Sequence, residues 1–363
     1  MNGGGVASEQ PRQEFELGPE AGHAVLVLPG EMVPTDVEAI RQLTFWYVQV
    51  MRAVAEESLG LPFPRLEIWM LDLTEALTAL ASRVVGPPIA PGDVERVGGQ
   101  VAAKTMPLED DWSRAAVVSP GAALASDDGR AKGLALFSLL HEVGHALVER
   151  LGTLSGVREI GWHPTAHSLR KAGNAVRHGL DEWRVSSMAS AALRGVITDG
   201  DGQPVSIPEL VSGTYRDALG GVLDSIYPGW PDAVTQYRNH RMSLEDLYAQ
   251  VVGETVGIFT FLSHCEAEAA MLGRSTPLRD EYAQHPATRL YLGEPWGALV
   301  DCNAPLLAPV SEFADAEGAY LSEVVVPKIV EMWRRVGLTV TDGPGPDDLR
   351  IDVTAPLWDA AAP

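Results

Sequence analysis

Three side chains in the run from Leu134 to Gly152 have the types and spacing to do chemistry: His141, Glu142 and His145. Residues four apart on a helix share a face, so the imidazoles of His141 and His145 converge on one ion. Glu142 then points beside them toward a water from which it can take a proton. This is the H-E-x-x-H pattern: two nitrogen ligands with an adjacent base. Its setting supports a helix. Leu134, Phe137, Leu140 and Gly144 recur at helical spacing, Ser126, Asp127 or Asp128 caps the start, and Gly152 closes the end. Burying two histidines and a glutamate in so apolar a helix is costly unless they are paired or bound to metal. The bland alternative is a helix whose histidines are incidental or merely hydrogen-bonded.

With Ser138, Leu139 and Leu140 before it and Ala146 and Leu147 after it, the pattern resembles the active-site helix of the zincin metallopeptidases. The likeness is confined to this helix. The metzincin branch is excluded, because its extension needs Gly at 148 and His at 151, where this chain has Val148 and Leu151. The resemblance implies a sheet preceding the helix, with an edge strand that binds extended substrate by backbone pairing. Arg114–Ser119 occupies that place, with an ordinary buried strand as the alternative. In the gluzincin branch a glutamate on a downstream helix completes the site, and Glu182 stands where that residue is expected. Gluzincins also tend to carry an acid four positions later; this chain has Ser186.

A catalytic zinc site needs three protein ligands and one open position. Helical geometry sorts the candidates in RHGLDEWRVSS. Asn174, Arg177, Asp181 and Arg184 form one polar stripe, where Asp181 pairs with Arg177 and Arg184 and is expected in solvent. Ala175, His178, Gly179, Glu182, Ser186 and Ala189 form another face, whose small residues let a second helix approach; it is expected to turn Glu182 toward the metal helix. Glu182 is the leading third ligand, and His178 and Asp181 are the alternatives. A group that steadies the developing oxyanion is expected from YRNHR, with Tyr237 and His240 as candidates beside Arg241 and Tyr215; the alternative there is a polar loop. Glu254 and His264 lie in a very apolar helix from which they could reach the site, but buried, hydrogen-bonded roles are expected of them. His163 and His167 read as loop residues, and Cys265 as a small core residue.

The elements that must position these groups alternate along the chain. Residues 1–13 read as a flexible tail, 14–125 as an α/β sheet region, 126–275 as a helical region with the metal site, and 276–363 as an α/β extension. Strands are expected at His23–Leu28, Arg65–Leu71, Arg96–Lys104, Ala115–Val118, Leu338–Thr341 and Leu349–Val353. Helices are expected at Thr35–Leu59 with Trp46, Val50 and Val54 on the apolar side, and at Thr74–Val85, Ala166–Leu193 and Gly318–Gly337. A further helix should run from Ser243, capped with Asp246, to Leu272. Ile197–Glu209 reads as a connection leading to short elements around Tyr215–Tyr227. The fold class is α+β, zincin-like: an N-terminal mixed sheet with helices, a mainly helical metal-binding region and a short α/β C-terminal part.

Composition bounds the rest. The 363 residues carry a net charge of −22, which argues against nucleic-acid or anionic-membrane partners. Two cysteines, Cys265 and Cys302, make no disulfide framework. The N-terminus lacks a secretory pattern, and Val251–Leu262 is broken by Gly253, Glu254 and Gly257, so a cytoplasmic protein is expected. No phosphate-binding or dinucleotide glycine loop and no serine-hydrolase elbow is present. The residues thus point to a zinc-dependent hydrolase acting on a peptide or amide bond of a peptide or small-molecule substrate, with Zn²⁺ on His141, His145 and Glu182 and with Glu142 as base. The alternatives are an H-E-x-x-H oxygenase or biosynthetic enzyme using Fe²⁺, and a non-catalytic metal-binding protein.

Overall fold

The structure, a computed structural model, describes residues 11–86, 95–96, 99–100, 103–154, 167–193, 197–198, 202–274, 278–302, 321–345 and 348–358. The architecture is α+β. The chain divides into two compact units that interleave in sequence: one from residues 1–94, 101–150 and 195–205, the other from 95–100, 151–194 and 206–363.

The first unit is built on a five-stranded mixed sheet. Its strands are β1 (Arg12–Glu16), β2 (Val25–Pro29), β3 (Arg65–Trp69), β4 (Lys104–Pro107) and β5 (Arg114–Val118), in the order β1-β2-β3-β5-β4. β2, β3 and β5 run parallel, and β1 and β4 are antiparallel edges. The parallel strands are near-continuous apolar runs, as burial on both faces requires; Leu26, Ile68 and Val117 are fully buried. Arg12 and Gln13, expected in the tail, belong to β1; residues 1–10 lie outside the described residues. The expected strand Arg96–Lys104 is replaced by a short pair, Glu95–Arg96 with Gly99–Gln100, and by β4 beyond it; residues 97–98 and 101–102 are outside the described set.

Helix α1 (Pro34–Ala53) continues into a π turn at Val54–Ser58, and α2 (Leu73–Leu80) is capped by the Asp72 carboxylate, which accepts from the backbone of Thr74 and Glu75. α1 buries Val37, Ile40, Thr44, Tyr47, Val48 and Met51, while Trp46 is 55% exposed and Val50 and Val54 are half-buried. The side expected from Trp46, Val50 and Val54 is therefore not the one α1 buries most deeply; that is the ridge through Ile40, Thr44, Val48 and Met51. Helix α3 (Gly129–Leu154) carries the H-E-x-x-H pattern. Asp128 caps it by accepting from Arg130 N at 2.9 Å, and the helix runs past Gly152 rather than ending there.

The second unit is helical. α4 (His167–Ala192), α5 (Ile207–Arg238), α6 (Leu244–Met271), a single turn α7 (Leu278–Glu281), α8 (Gly293–Cys302) and α9 (Val326–Val336) surround a core with Trp230, Trp296, Trp333, Tyr291 and Phe259 at its centre. Trp296 and Trp333, from the C-terminal part, share the core of α4–α6. β6 (Leu338–Asp342) and β7 (Leu349–Val353) form their own antiparallel hairpin.

α5 overturns the expectation of a connection followed by short elements. Ser206 caps it by accepting from Glu209 N, Pro208 suits the first turn, and the helix breaks only at Tyr227. Ser243 caps α6: its hydroxyl accepts from Asp246 N at 3.0 Å and donates to the Asp246 carboxylate at 2.7 Å. α4 packs chiefly on α6, and Gly179 is the point of closest approach: a Cβ there would lie 3.1 Å from Ser263 Oγ and 3.2 Å from the Phe259 carbonyl oxygen. The small-residue face of α4 therefore seats α6.

Candidate metal centre

On α3 the helical repeat brings the two imidazoles together, and their Nε2 atoms are 3.1 Å apart. Two nitrogens bound at about 2.0–2.1 Å in tetrahedral geometry stand roughly 3.3 Å from each other, so this spacing suits a shared ion. The Phe137 ring lies 5.7 Å from that of His141. Glu142, between them in sequence, is buried. Its carboxylate accepts a hydrogen bond from Thr105 Oγ1 at 2.7 Å, and the same hydroxyl lies 2.7 Å from the Glu142 backbone carbonyl oxygen. The edge strand β4 thus grips the α3 helix at the glutamate. Arg114–Ser119 was the segment expected at the edge. It forms β5 instead, which is paired on both sides, by β3 and β4.

On α4, Glu182 is 1% exposed and sits among partners from its own helix and from α6. His178 Nε2 is 3.5 Å from Oε1, and His264 Nε2 is 3.4 Å from Oε2. His141 and His145 belong to the first unit and Glu182 to the second. Two neutral imidazoles and a carboxylate are a donor set suited to zinc.

Asp181 pairs with Arg177 at 3.6 Å and Arg184 at 3.5 Å, as its stripe requires. The Asp181–Arg184 end of that stripe is not solvated, however, because Arg184 is 7% exposed and the Asp181 side chain only 15%, whereas Asn174 at its other end is exposed.

The remaining candidates scatter. Tyr237 packs against the helical core, and His240 is exposed on the turn that ends α5, with φ 56°. Neither is among the side chains gathered around Glu182. Arg241 shares that turn, its N–H donating to the Gln236 carbonyl. Glu254 is structural: it accepts from Trp230 Nε1 at 2.6 Å and from Gln250 at 3.2 Å, and burial raises its pKa. His167 is the first residue of α4 rather than a loop residue, and His163 lies outside the described residues. Cys265 is a buried free thiol, which desolvation pushes upward in pKa.

Two groups near the candidate ligands carried no strong signal in the sequence. Thr105 is an ordinary strand residue until β4 pairs with β5, and His264 meets Glu182 only through the packing of α4 on α6. Comparison with protein-family models, curated proteins and solved structures finds no match.

Proposed function

We propose that this chain is a zinc-dependent hydrolase of gluzincin type that cleaves a peptide or amide bond. The observation carrying this reading is the approach of the His141 and His145 Nε2 atoms to 3.1 Å beside a glutamate held by hydrogen bond. His141, His145 and Glu182 would hold the metal, which supplies a Lewis acid and a water made acidic enough to ionise near neutral pH. Glu142 takes the proton of the attacking water and returns it to the leaving amine. Thr105 keeps the Glu142 carboxylate from rotating out of reach. The open side of β4, Lys104–Pro107, replaces Arg114–Ser119 as the strand available to an extended substrate. A zincin-like arrangement, a peptide or small-molecule substrate and a cytoplasmic setting belong to the same proposal. Among the described residues no helix is long and apolar enough to cross a membrane.

Two histidines with one carboxylate also suit Fe²⁺ in an oxygenase. Glu142 favours hydrolysis, because a base hydrogen-bonded in place beside the ligands has work in that reaction and none in oxygen activation. The test is elemental analysis of protein purified without added metal, together with peptide-library turnover. One equivalent of zinc is expected, with Glu142→Gln retaining the metal and losing turnover by a factor of about a hundred or more. Iron in place of zinc, or full turnover by Glu142→Gln, would overturn the hydrolase reading.

A further inference from the structure

We propose that His264, backed by Ser186, is a positioning residue that fixes the Glu182 carboxylate for the metal. This rests on the reading of Glu182 as a ligand. Glu182 and Ser186 are one turn apart on α4, and a single imidazole from α6 spans that turn. Ser186 Oγ lies 2.7 Å from His264 Nδ1, and His264 Nε2 lies 3.4 Å from Glu182 Oε2. With the hydroxyl donating to Nδ1, the ring proton sits on Nε2, the nitrogen turned to the carboxylate. Tyr215 stacks on the imidazole at 4.8 Å between ring centroids and 4° between planes, so the ring has little freedom to turn. Ser186 is fully buried. A hydroxyl so placed orients the imidazole, and the imidazole orients one oxygen of the carboxylate. Ser186 stands where the gluzincin pattern places an acid; here that position acts on the glutamate through His264.

Groups standing behind a metal ligand commonly change metal affinity by about 10–100-fold. The test uses the full chain, stripped and titrated with Zn²⁺ against a chelating competitor, and with Co²⁺ followed by its visible absorption. His264→Leu is expected to weaken Zn²⁺ binding by about 10–100-fold and to alter the Co²⁺ spectrum, Ser186→Ala to shift both in the same direction by less, and His264→Gln to recover part of the loss because its amide N–H restores a donor toward Glu182. Melting of the stripped proteins separates a purely structural role, which would lower stability without changing affinity. If His264→Leu fails to fold, Ser186→Ala decides alone. Affinity and Co²⁺ spectrum unchanged in the folded variants, while Glu182→Ala loses metal, would overturn this inference and leave the metal site standing. A wild-type chain that binds no metal, or a Glu182→Ala variant that binds it normally, would overturn both.

Discussion

Asp181 and Glu182 are adjacent in sequence and opposite in surroundings. The helical repeat gives Asp181 to Arg177 and Arg184, and gives Glu182 to His178 and His264. Their loss should therefore be felt differently. Glu182→Ala would remove the proposed third ligand and should abolish tight metal binding. Asp181→Ala should retain the metal yet lower stability by about 1–3 kcal/mol, more than an exposed ion pair, because the buried Arg184 guanidinium loses a charged partner. Metal titration and thermal melting of the two variants check this, and equal metal loss in both would refute the division of roles. The separation of these neighbours was legible in the sequence because 3.6-residue periodicity is a local property. The burial of Arg184 was not, since it depends on what surrounds α4.

At the scale of elements, apolar periodicity located most helices, while the face each one buries depended on its partner. α1 shows this best: Trp46, Val50 and Val54 and the ridge through Ile40, Val48 and Met51 are both helical stripes, and only the packing decides between them. α5 was obscured by its glycines and prolines, which read as breakers although Pro208 sits in a first turn where its missing N–H does no harm. On α6 three carboxyls, Glu254, Glu266 and Glu268, have pKa values raised by burial, and that of Glu268 reaches about 8. Glu268 is fully buried, with the Ser190 hydroxyl donating to it at 2.6 Å. The native state therefore keeps a proton that the unfolded chain releases above about 4.5, so stability should fall as pH rises from about 4.5 to 8 and level off beyond. At about 1.4 kcal/mol per pKa unit the fall amounts to a few kcal/mol. Glu268→Gln should make it shallower in denaturant titrations across that range, leaving the smaller part due to Glu254 and Glu266, and an equally steep fall in the variant would refute the assignment.

For the whole molecule, the sequence conveyed an α+β chain with a mixed N-terminal sheet and a helical remainder, and the coordinates bear this out. It did not convey the interleaving of the two compact units, because no composition shift marks where the chain leaves one and enters the other. Nor did it convey the core that the C-terminal part shares with α4–α6: Trp296 and Trp333 are ordinary aromatics until they meet Phe259 and Trp230. A metal bound by the folded chain alone stabilises all of it by mass action. Free Zn²⁺ at a hundred times its dissociation constant should add about 2.7 kcal/mol to unfolding, a gain that chelation removes and that His141→Ala never shows. Calorimetry with and without chelator measures it, and identical transitions would count against the metal centre.

The Thr105 hydroxyl has one proton and two acceptors at the same 2.7 Å, the Glu142 carboxylate and the Glu142 backbone carbonyl. It can serve only one of them at a time. When the carboxylate is negative, the proton belongs on the carboxylate side. Once Glu142 has accepted a proton it becomes a donor, and the hydroxyl can swing its own hydrogen to the carbonyl while offering a lone pair in return. A rotation about one C–O bond thus accommodates both charge states with no heavy atom displaced. In the proposed reaction the glutamate must be base in one half and acid in the other, and a partner that reverses polarity in place would let it change roles without leaving its seat.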